Sequence, residues 1–177
     1  MFINQRIELK VTYKQGIFVL DDVLSDKQVR DFDLGLKKFN VINDYVVRQL
    51  NTWNEIKFAH PLLRIASKYF NFKSHYRYEV WEHLGTRPKN WHIDKDEILD
   101  DQLGITDCPL FGLIYYPSVQ YLRGGNLLFR NGITIVPQTN RLVIHSPPVI
   151  ENRVDEYEGY RHSININTWN KKKLGVL

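Results

Sequence analysis

After about residue 74 this sequence consists of short apolar runs, rich in aromatic and β-branched residues, that alternate with turn residues. Runs of this length and composition are typical of β-strands, and no helical period separates them. They therefore favour antiparallel strands in a sandwich or barrel. The Asn131-Gly132 pair between two of the runs is typical of a tight β-hairpin turn. The predicted strands cover residues 76–81, 110–116, 126–129, 133–136, 142–144 and 163–169.

The N-terminal third of the chain contains the clearest helix signal. Ser25 and Gln28 have the spacing of a capping box, in which two side chains satisfy backbone N–H groups at the start of a helix. Apolar residues then recur at helical spacing, which predicts an amphipathic helix over residues 26–39. We expect Phe32 and Leu36 to lie on its buried face.

Two further elements are predicted near this helix. The segment of residues 7–20 alternates loosely and predicts two short strands around a turn at Gly16. A second helix is predicted to open at Pro61. The sequence contains no repeat, low-complexity tract or linker, so we expect one domain over residues 1–177. Its class is predicted as α+β, with N-terminal helices backing a β-rich remainder. The apolar face of the second helix is predicted to contain Leu62, Leu63, Ala66, Tyr69 and Phe70.

Composition excludes several classes of function. The chain has 24 basic and 20 acidic residues, and its only basic run is residues 171–173, so no nucleic-acid partner is expected. Cys108 is the only cysteine, which excludes an internal disulfide and a multi-thiolate zinc site. No stretch reaches the ~18 apolar residues of a membrane span, and no signal peptide is recognisable. We therefore expect a cytoplasmic protein without a membrane partner.

The first set of chemistry-bearing residues is His92 and Asp94. Residues two apart on a strand point to the same face, so these side chains can converge on one metal ion. Neutral imidazole and carboxylate together suit Fe(II) in a two-histidine, one-carboxylate facial triad. An unconnected surface histidine and aspartate would produce the same pattern.

The second set is Arg161 and Ser163, which again lie two apart on a predicted strand. A guanidinium group and a hydroxyl group on one face can hold the distal carboxylate of a dicarboxylic acid. The phenol of Tyr116, on another predicted strand, can also hydrogen-bond a carboxylate. The alternatives are an arginine paired with a neighbouring acid and a tyrosine in the core.

Taken in chain order, these residues match the motifs of one family. Over roughly residues 74–169 the sequence resembles the prolyl-4-hydroxylase branch of the iron(II)/2-oxoglutarate-dependent oxygenases. Each motif is modest, but their shared order is specific. The matching motifs are His92-x-Asp94, Ile114-Tyr115-Tyr116, Gly124-Gly125-x-Leu127, the run from Asn140 to Ile144, Arg153-Val154 and Gly159-x-Arg161-x-Ser163.

The resemblance implies both a fold and a reaction. The implied fold is a double-stranded β-helix, or jelly roll, supported by N-terminal helices. His92 and Asp94 would be Fe(II) ligands, and Arg161 would pair with the distal carboxylate of 2-oxoglutarate, assisted by Ser163 and Tyr116. The implied reaction hydroxylates a C–H bond of a peptidyl or small amino-acid-like substrate and releases succinate and CO2.

One position departs from the family pattern. Counting back from Arg161, the second iron-binding histidine of the family falls on Asn152, or on Glu151 if the spacing is one residue longer. An amide oxygen is a poorer Fe(II) ligand than imidazole. His145, where the family usually has an aromatic residue beside the cosubstrate, could contact 2-oxoglutarate or the metal. The third ligand is therefore Asn152, Glu151 or His145.

The departure keeps a second function class open. A jelly roll short of one metal ligand could be a catalytically silent module that binds a dicarboxylate, a peptide or a partner protein. A metal-binding cupin-like protein is less well supported because its multi-histidine motif is missing. The remaining histidines have no partner spacing: we expect His60, His75 and His83 to be surface or structural residues, and His162 to point away from the pocket.

Overall fold

Two antiparallel sheets, three α-helices and one 3₁₀ helix (Lys57–Ala59) form the regular structure of the described part of the chain. A computed structural model describes residues 11–39, 50–71, 73, 76–84, 88–146 and 150–170. The strands are β1 (Val11–Lys14), β2 (Ile17–Leu20), β3 (Tyr76–Leu84), β4 (Lys89–His92), β5 (Phe111–Gly124), β6 (Leu127–Phe129), β7 (Thr134–Ile135), β8 (Arg141–His145), β9 (Asn152–Val154) and β10 (Tyr157–Asn170); the helices are α1 (Asp26–Lys38), α2 (His60–Ala66) and α3 (Glu97–Leu103).

The larger sheet has six strands in the order β1-β2-β8-β5-β10-β3, and the smaller has four in the order β4-β9-β6-β7. All the strand pairs are antiparallel. The two longest strands, β5 and β10, pair with each other at the centre of the larger sheet. The α+β class and the antiparallel pairing predicted from the sequence are confirmed.

Helix α1 forms where the sequence predicts it. The capping box is complete, because the Ser25 hydroxyl accepts from the Gln28 N–H and the Gln28 side chain accepts from the Ser25 N–H. Phe32 and Leu36 are buried, as predicted. The Phe32 ring meets the rings of Phe58 and Tyr115 edge-on, at centroid distances of 5.3 and 5.0 Å. The helix is thereby anchored against the centre of the larger sheet.

The larger sheet separates two apolar cores. Alternate residues of a strand face opposite sides, so Leu113 and Tyr115 of β5 pack towards the helices, whereas Ile114 and Tyr116 face the smaller sheet. The core between the two sheets also contains Leu127 and Phe129 from β6, together with Ile17, Ile133, Ile135, Val143 and Val154.

Several elements differ from the sequence predictions. Helix α2 ends at Ala66, so Tyr69 and Phe70 lie beyond it, half-buried against the core. Four residues, 130–133, separate β6 from β7, so the hairpin connection is longer than a tight two-residue turn at Asn131-Gly132; Gly132 has φ +83°. Strands β4 and β9 and helix α3 are not among the sequence predictions, because such short elements carry little periodic signal. Residues 7–10, His75 and the basic run 171–173 lie outside the described residues.

Within the described ranges, no helix has both the length and the apolar character needed to cross a membrane.

Candidate functional site

The centre of the candidate site is Arg161, which β10 directs into the space between the sheets. Only 5% of this residue is exposed. Its Nη1 donates to Oγ of Ser163 (3.0 Å), and its Nη2 donates to the phenol oxygen of Tyr116 on the adjacent β5 (3.3 Å). The structure thus brings together the three residues that the sequence predicts as a carboxylate clamp.

Gly159 helps to aim Arg161 at this position. The register of β10 against β5 shifts between Glu158 and Tyr160, which marks a bulge at Gly159. The glycine has φ +99°, and a Cβ there would lie 2.3 Å from the carbonyl oxygen of Tyr121. Only glycine fits this conformation and this close approach. The glycine of the Gly-x-Arg-x-Ser motif therefore has a structural role.

The charge of Arg161 is buried beside neutral groups. Its hydrogen bonds go to two hydroxyl groups, and its Nε has no hydrogen-bond partner in the part of the chain that the structure describes. A buried charge is costly unless an opposite charge and hydrogen bonds compensate it. Burial raises the pKa of Tyr116, so its phenol stays neutral. The surroundings of Arg161 therefore suit an anionic ligand.

His92 is the last residue of β4 and Asp94 lies two residues beyond it, so the strand alternation from which we expected the two side chains to converge does not extend to Asp94; the two side chains are nevertheless close. The Nδ1 of His92 lies 2.8 Å from the carbonyl oxygen of Asn90, to which it must donate. This hydrogen bond leaves the lone pair of Nε2 available, as at most metal-binding histidines. Nε2 lies 3.9 Å from Oδ1 of Asp94. One ion could contact both atoms at the usual 2.0–2.2 Å, because twice that distance exceeds their separation.

Asn152 lies directly opposite His92. The two residues are partners in the pairing of β4 with β9, and Asn152 is buried. Its neighbour Glu151 has a half-exposed side chain that accepts from Nε of Arg130 at 2.8 Å. Of these two candidates for a third ligand, Asn152 has the position that faces His92, whereas Glu151 forms a surface ion pair.

His145 is buried at the end of β8, deeper between the sheets. Its Nδ1 has no hydrogen-bond partner among the described residues. Burial lowers its pKa, and the Asp94 carboxylate opposes that shift. Its ring fits only because residue 112 is glycine, since a Cβ there would lie 2.4 Å from the Nε2 of His145. The structure therefore places a neutral imidazole near Asp94.

A cavity of about 320 Å³ connects the two halves of the site. His92 and Asn152 line it from the smaller sheet, and Arg161 and Ser163 line it from the larger sheet. Its volume is in the range of small-molecule sites. Asp94, Tyr116 and His145 are not among the residues that line the cavity.

The same cavity contains two residues that the sequence predictions missed. His83, which we expected to be a surface or structural residue, lines the cavity beside Ser163, its partner in the pairing of β3 with β10. Lys89, the first residue of β4, also lines the cavity, and its Nζ lies 2.8 Å from Nε2 of His83. Lys89 belongs to a strand that the sequence did not predict, so nothing connected it to His83.

Other residues singled out in the sequence have structural roles. The Asn140 side chain bonds the backbone N–H and carbonyl of Leu24, and Arg141 forms a two-point ion pair with Asp21. His162 contacts Glu82 (2.9 Å) and faces a different groove from that of Arg161, as strand alternation predicts. His60 stacks on Trp53. Helix α3 follows the segment of His92 and Asp94 in the chain; Asp96 is its N-cap, and Asp100 within it contacts Lys95.

Comparison with known proteins gives structural matches alone. No family model and no curated protein matches the sequence. A viral collagen prolyl hydroxylase from Paramecium bursaria Chlorella virus-1, solved with 2-oxoglutarate, is 16% identical with a TM-score of 0.59, over 87% of this chain and 95% of that chain. A Pseudomonas putida prolyl-4-hydroxylase is 14% identical with a TM-score of 0.60, over 89% and 94%.

A third match is a prolyl hydroxylase from Trichoplax adhaerens, solved with a peptide fragment of the hypoxia inducible factor oxygen degradation domain. It is 14% identical with a TM-score of 0.57, over 92% of this chain and 88% of that chain. Because the three matches cover most of both chains, the similarity concerns the whole fold. The chain therefore shares its fold with the prolyl 4-hydroxylases and 2-oxoglutarate/Fe(II) oxygenases, as its sequence motifs predict.

Proposed function

We propose that this protein is an Fe(II)- and 2-oxoglutarate-dependent oxygenase whose two sheets form a double-stranded β-helix around the cavity. The observation that carries the proposal is the buried Arg161, which donates to the hydroxyl groups of Ser163 and Tyr116 and shares one cavity with His92 and Asn152. An anion-binding end and a metal-binding end in one cavity suit a ligand that bridges them. A dicarboxylate with a keto group has that chemistry.

The residues divide into two groups in this proposal. His92, Asp94 and Asn152 would hold Fe(II), and the hydrogen bond from Nδ1 of His92 to Asn90 fixes the ring for that task. Arg161, Ser163 and Tyr116 would bind the distal carboxylate of 2-oxoglutarate through charge-assisted hydrogen bonds. The buried apolar lining residues Ile114, Leu127 and Val154 would limit the access of water to the reacting groups.

The bound metal and cosubstrate would supply the oxidising chemistry. In balanced form, a C–H bond of the substrate, one O2 and one 2-oxoglutarate become a C–OH group, succinate and CO2. The protein's own contribution is to orient the cosubstrate at Arg161 and to present the metal ligands from β4 and β9. His145 would remain a neutral imidazole beside the ligands, near the cosubstrate or the metal.

The proposed substrate is a peptide or a small amino-acid-like molecule. The structural matches support this class, since the viral enzyme is a collagen prolyl hydroxylase and the Trichoplax enzyme was solved with a peptide. We also propose that residues 1–177 form one domain and that its partners do not include nucleic acid.

Asn152 provides the experiment that tests the metal site. If Asn152 is the third ligand, Asn152→His should tighten Fe(II) binding by roughly tenfold or more, because imidazole is a better ligand than a neutral amide oxygen. The measurement is an anaerobic calorimetric titration of Fe(II). In His145→Ala and Glu151→Ala, the affinity should stay within about threefold of the wild type.

The two control variants make this test decisive. A large loss of Fe(II) affinity in His145→Ala, with no gain in Asn152→His, would assign the third position to His145 instead. The same loss in Glu151→Ala would contradict the ion pair between Glu151 and Arg130 as its main role. If neither the wild type nor any of the three variants binds Fe(II), the proposal of a metal-dependent function is wrong.

Asn152 also favours a second candidate function. Without the second imidazole, a protein with this fold could be a silent module that binds a dicarboxylate or a peptide through Arg161. This module would bind 2-oxoglutarate with the same affinity whether or not Fe(II) is present, whereas an oxygenase should bind it more tightly with Fe(II).

A further inference from the structure

We propose that Lys89, held in place by His83, is a second cationic contact for the distal carboxylate of the cosubstrate, alongside Arg161. This inference rests on the proposed function, because it concerns the ligand of the same cavity. It adds a binding residue, Lys89, and a positioning residue, His83, which no sequence motif indicated.

The strand pairing places both residues at the Arg161 end of the cavity. His83 of β3 is the register partner of Ser163 of β10, and Ser163 accepts a hydrogen bond from Arg161. Lys89 reaches the same group from the opposite sheet, with its Nζ 2.8 Å from Nε2 of His83. All four side chains line the same cavity.

Position along β4 separates Lys89 from His92, whereas the Asp94 carboxylate is close enough to act against the lowering of the Lys89 pKa. Lys89 pairs with Val154, whereas His92, at the other end of the strand, pairs with Asn152. A register shift lies between these two pairs, and their partners on β9 are two residues apart, which spans about 7 Å. If a ligand extends from His92 to Arg161, the end at Arg161 would therefore lie closer to Lys89 than the end at His92.

The protonation states agree with this geometry. Burial lowers the pKa of His83 to about 3, so the ring is neutral and its Nε2 accepts the hydrogen bond from Lys89. Burial also lowers the pKa of Lys89 to about 8, so its ammonium group predominates at pH 7. Lys89 and Arg161 then offer two positive charges to one carboxylate, while the neutral His83 orients Lys89 without competing for the anion.

A pair of ligands tests which carboxylate Lys89 contacts. 2-Oxoglutarate and 2-oxopentanoate share the 2-oxo acid group, but only the first has a distal carboxylate. Binding of each is measured by calorimetry on the Fe(II)-loaded protein kept anaerobic. Lys89→Met should weaken 2-oxoglutarate binding about tenfold or more, since a hydrogen bond to a charged group is lost. Binding of 2-oxopentanoate should stay unchanged.

Control variants separate the positioning role from the fold. His83→Ala should lower the preference for 2-oxoglutarate over 2-oxopentanoate, and His83→Gln should restore it, because the amide oxygen can accept from Lys89. Lys27→Met removes an exposed lysine on α1 and should change neither ligand's binding. If Lys89→Met does not fold, Lys89→Gln takes its place, with the same ratio as the readout.

The ratio of the two affinities decides the outcome. An unchanged ratio in Lys89→Met, whether both affinities hold or both fall equally, would overturn the inference. If 2-oxoglutarate binds the wild type and depends on Arg161 while the Lys89 ratio is unchanged, only this inference fails. If the wild type does not bind 2-oxoglutarate, the proposed function itself fails.

Discussion

Arg161→Ala should lose about 100-fold or more of its affinity for 2-oxoglutarate while remaining folded. The substitution removes a cationic side chain that is 5% exposed. Water has little access to this position and cannot replace the lost hydrogen bonds to the carboxylate. Charge-assisted hydrogen bonds in such a site contribute about 1.5–3 kcal/mol each, and a bidentate pair contributes more. Calorimetry with the Fe(II)-loaded protein measures the loss directly.

Two variants sharpen this test. Arg123→Ala removes an exposed arginine from β5 of the same sheet and should leave 2-oxoglutarate binding unchanged. Arg161→Lys keeps the charge but loses the planar fork, so its affinity should fall between those of the wild type and Arg161→Ala. Equal affinity in the wild type and Arg161→Ala would remove Arg161 from the binding site.

Phe32→Ala should lower the free energy of unfolding by about 3–5 kcal/mol, the usual range for deleting a buried aromatic side chain. Phe32 is 1% exposed and joins α1 to the larger sheet through its ring contacts with Phe58 and Tyr115. Tyr115 is the strand neighbour of Tyr116, so this packing also supports the strand that carries part of the candidate site. Denaturant unfolding measures the change.

The matched control for Phe32 lies on the same helix. Leu34 is 58% exposed, so Leu34→Ala should change the free energy of unfolding by less than about 0.5 kcal/mol. Comparable losses in the two variants would mean that α1 does not present Phe32 to the core.

The elements that the sequence predicted well are those with a local physical signal. The capping pair Ser25 and Gln28 and the helical spacing of the apolar residues predict helix α1. The structure has both the capping box and the buried apolar face. The apolar runs that contain Tyr116 and Ser163 lie in β5 and β10. Within each of these strands, alternate residues face opposite sides of the larger sheet. In these segments local preference and tertiary packing agree.

The elements that the sequence did not predict depend on distant partners. Strands β4 and β9 have four and three residues, and they form because β9 pairs with β4 on one side and with β6 on the other. The pairing of His92 with Asn152 arises only from that contact. His83 and Lys89 come together in the same way, across two sheets, so neither spacing nor composition could connect them.

The most direct test of the central claim is an anaerobic titration of the Fe(II)-loaded wild-type protein with 2-oxoglutarate, followed by visible absorption. If His92, Asp94 and Asn152 hold the metal and Arg161 holds the distal carboxylate, a metal-to-ligand charge-transfer band should appear, saturate at one equivalent and be absent in Arg161→Ala at the same ligand concentration. If the wild type develops no band at saturating 2-oxoglutarate, the metal and the cosubstrate do not meet in this cavity and the oxygenase proposal is wrong.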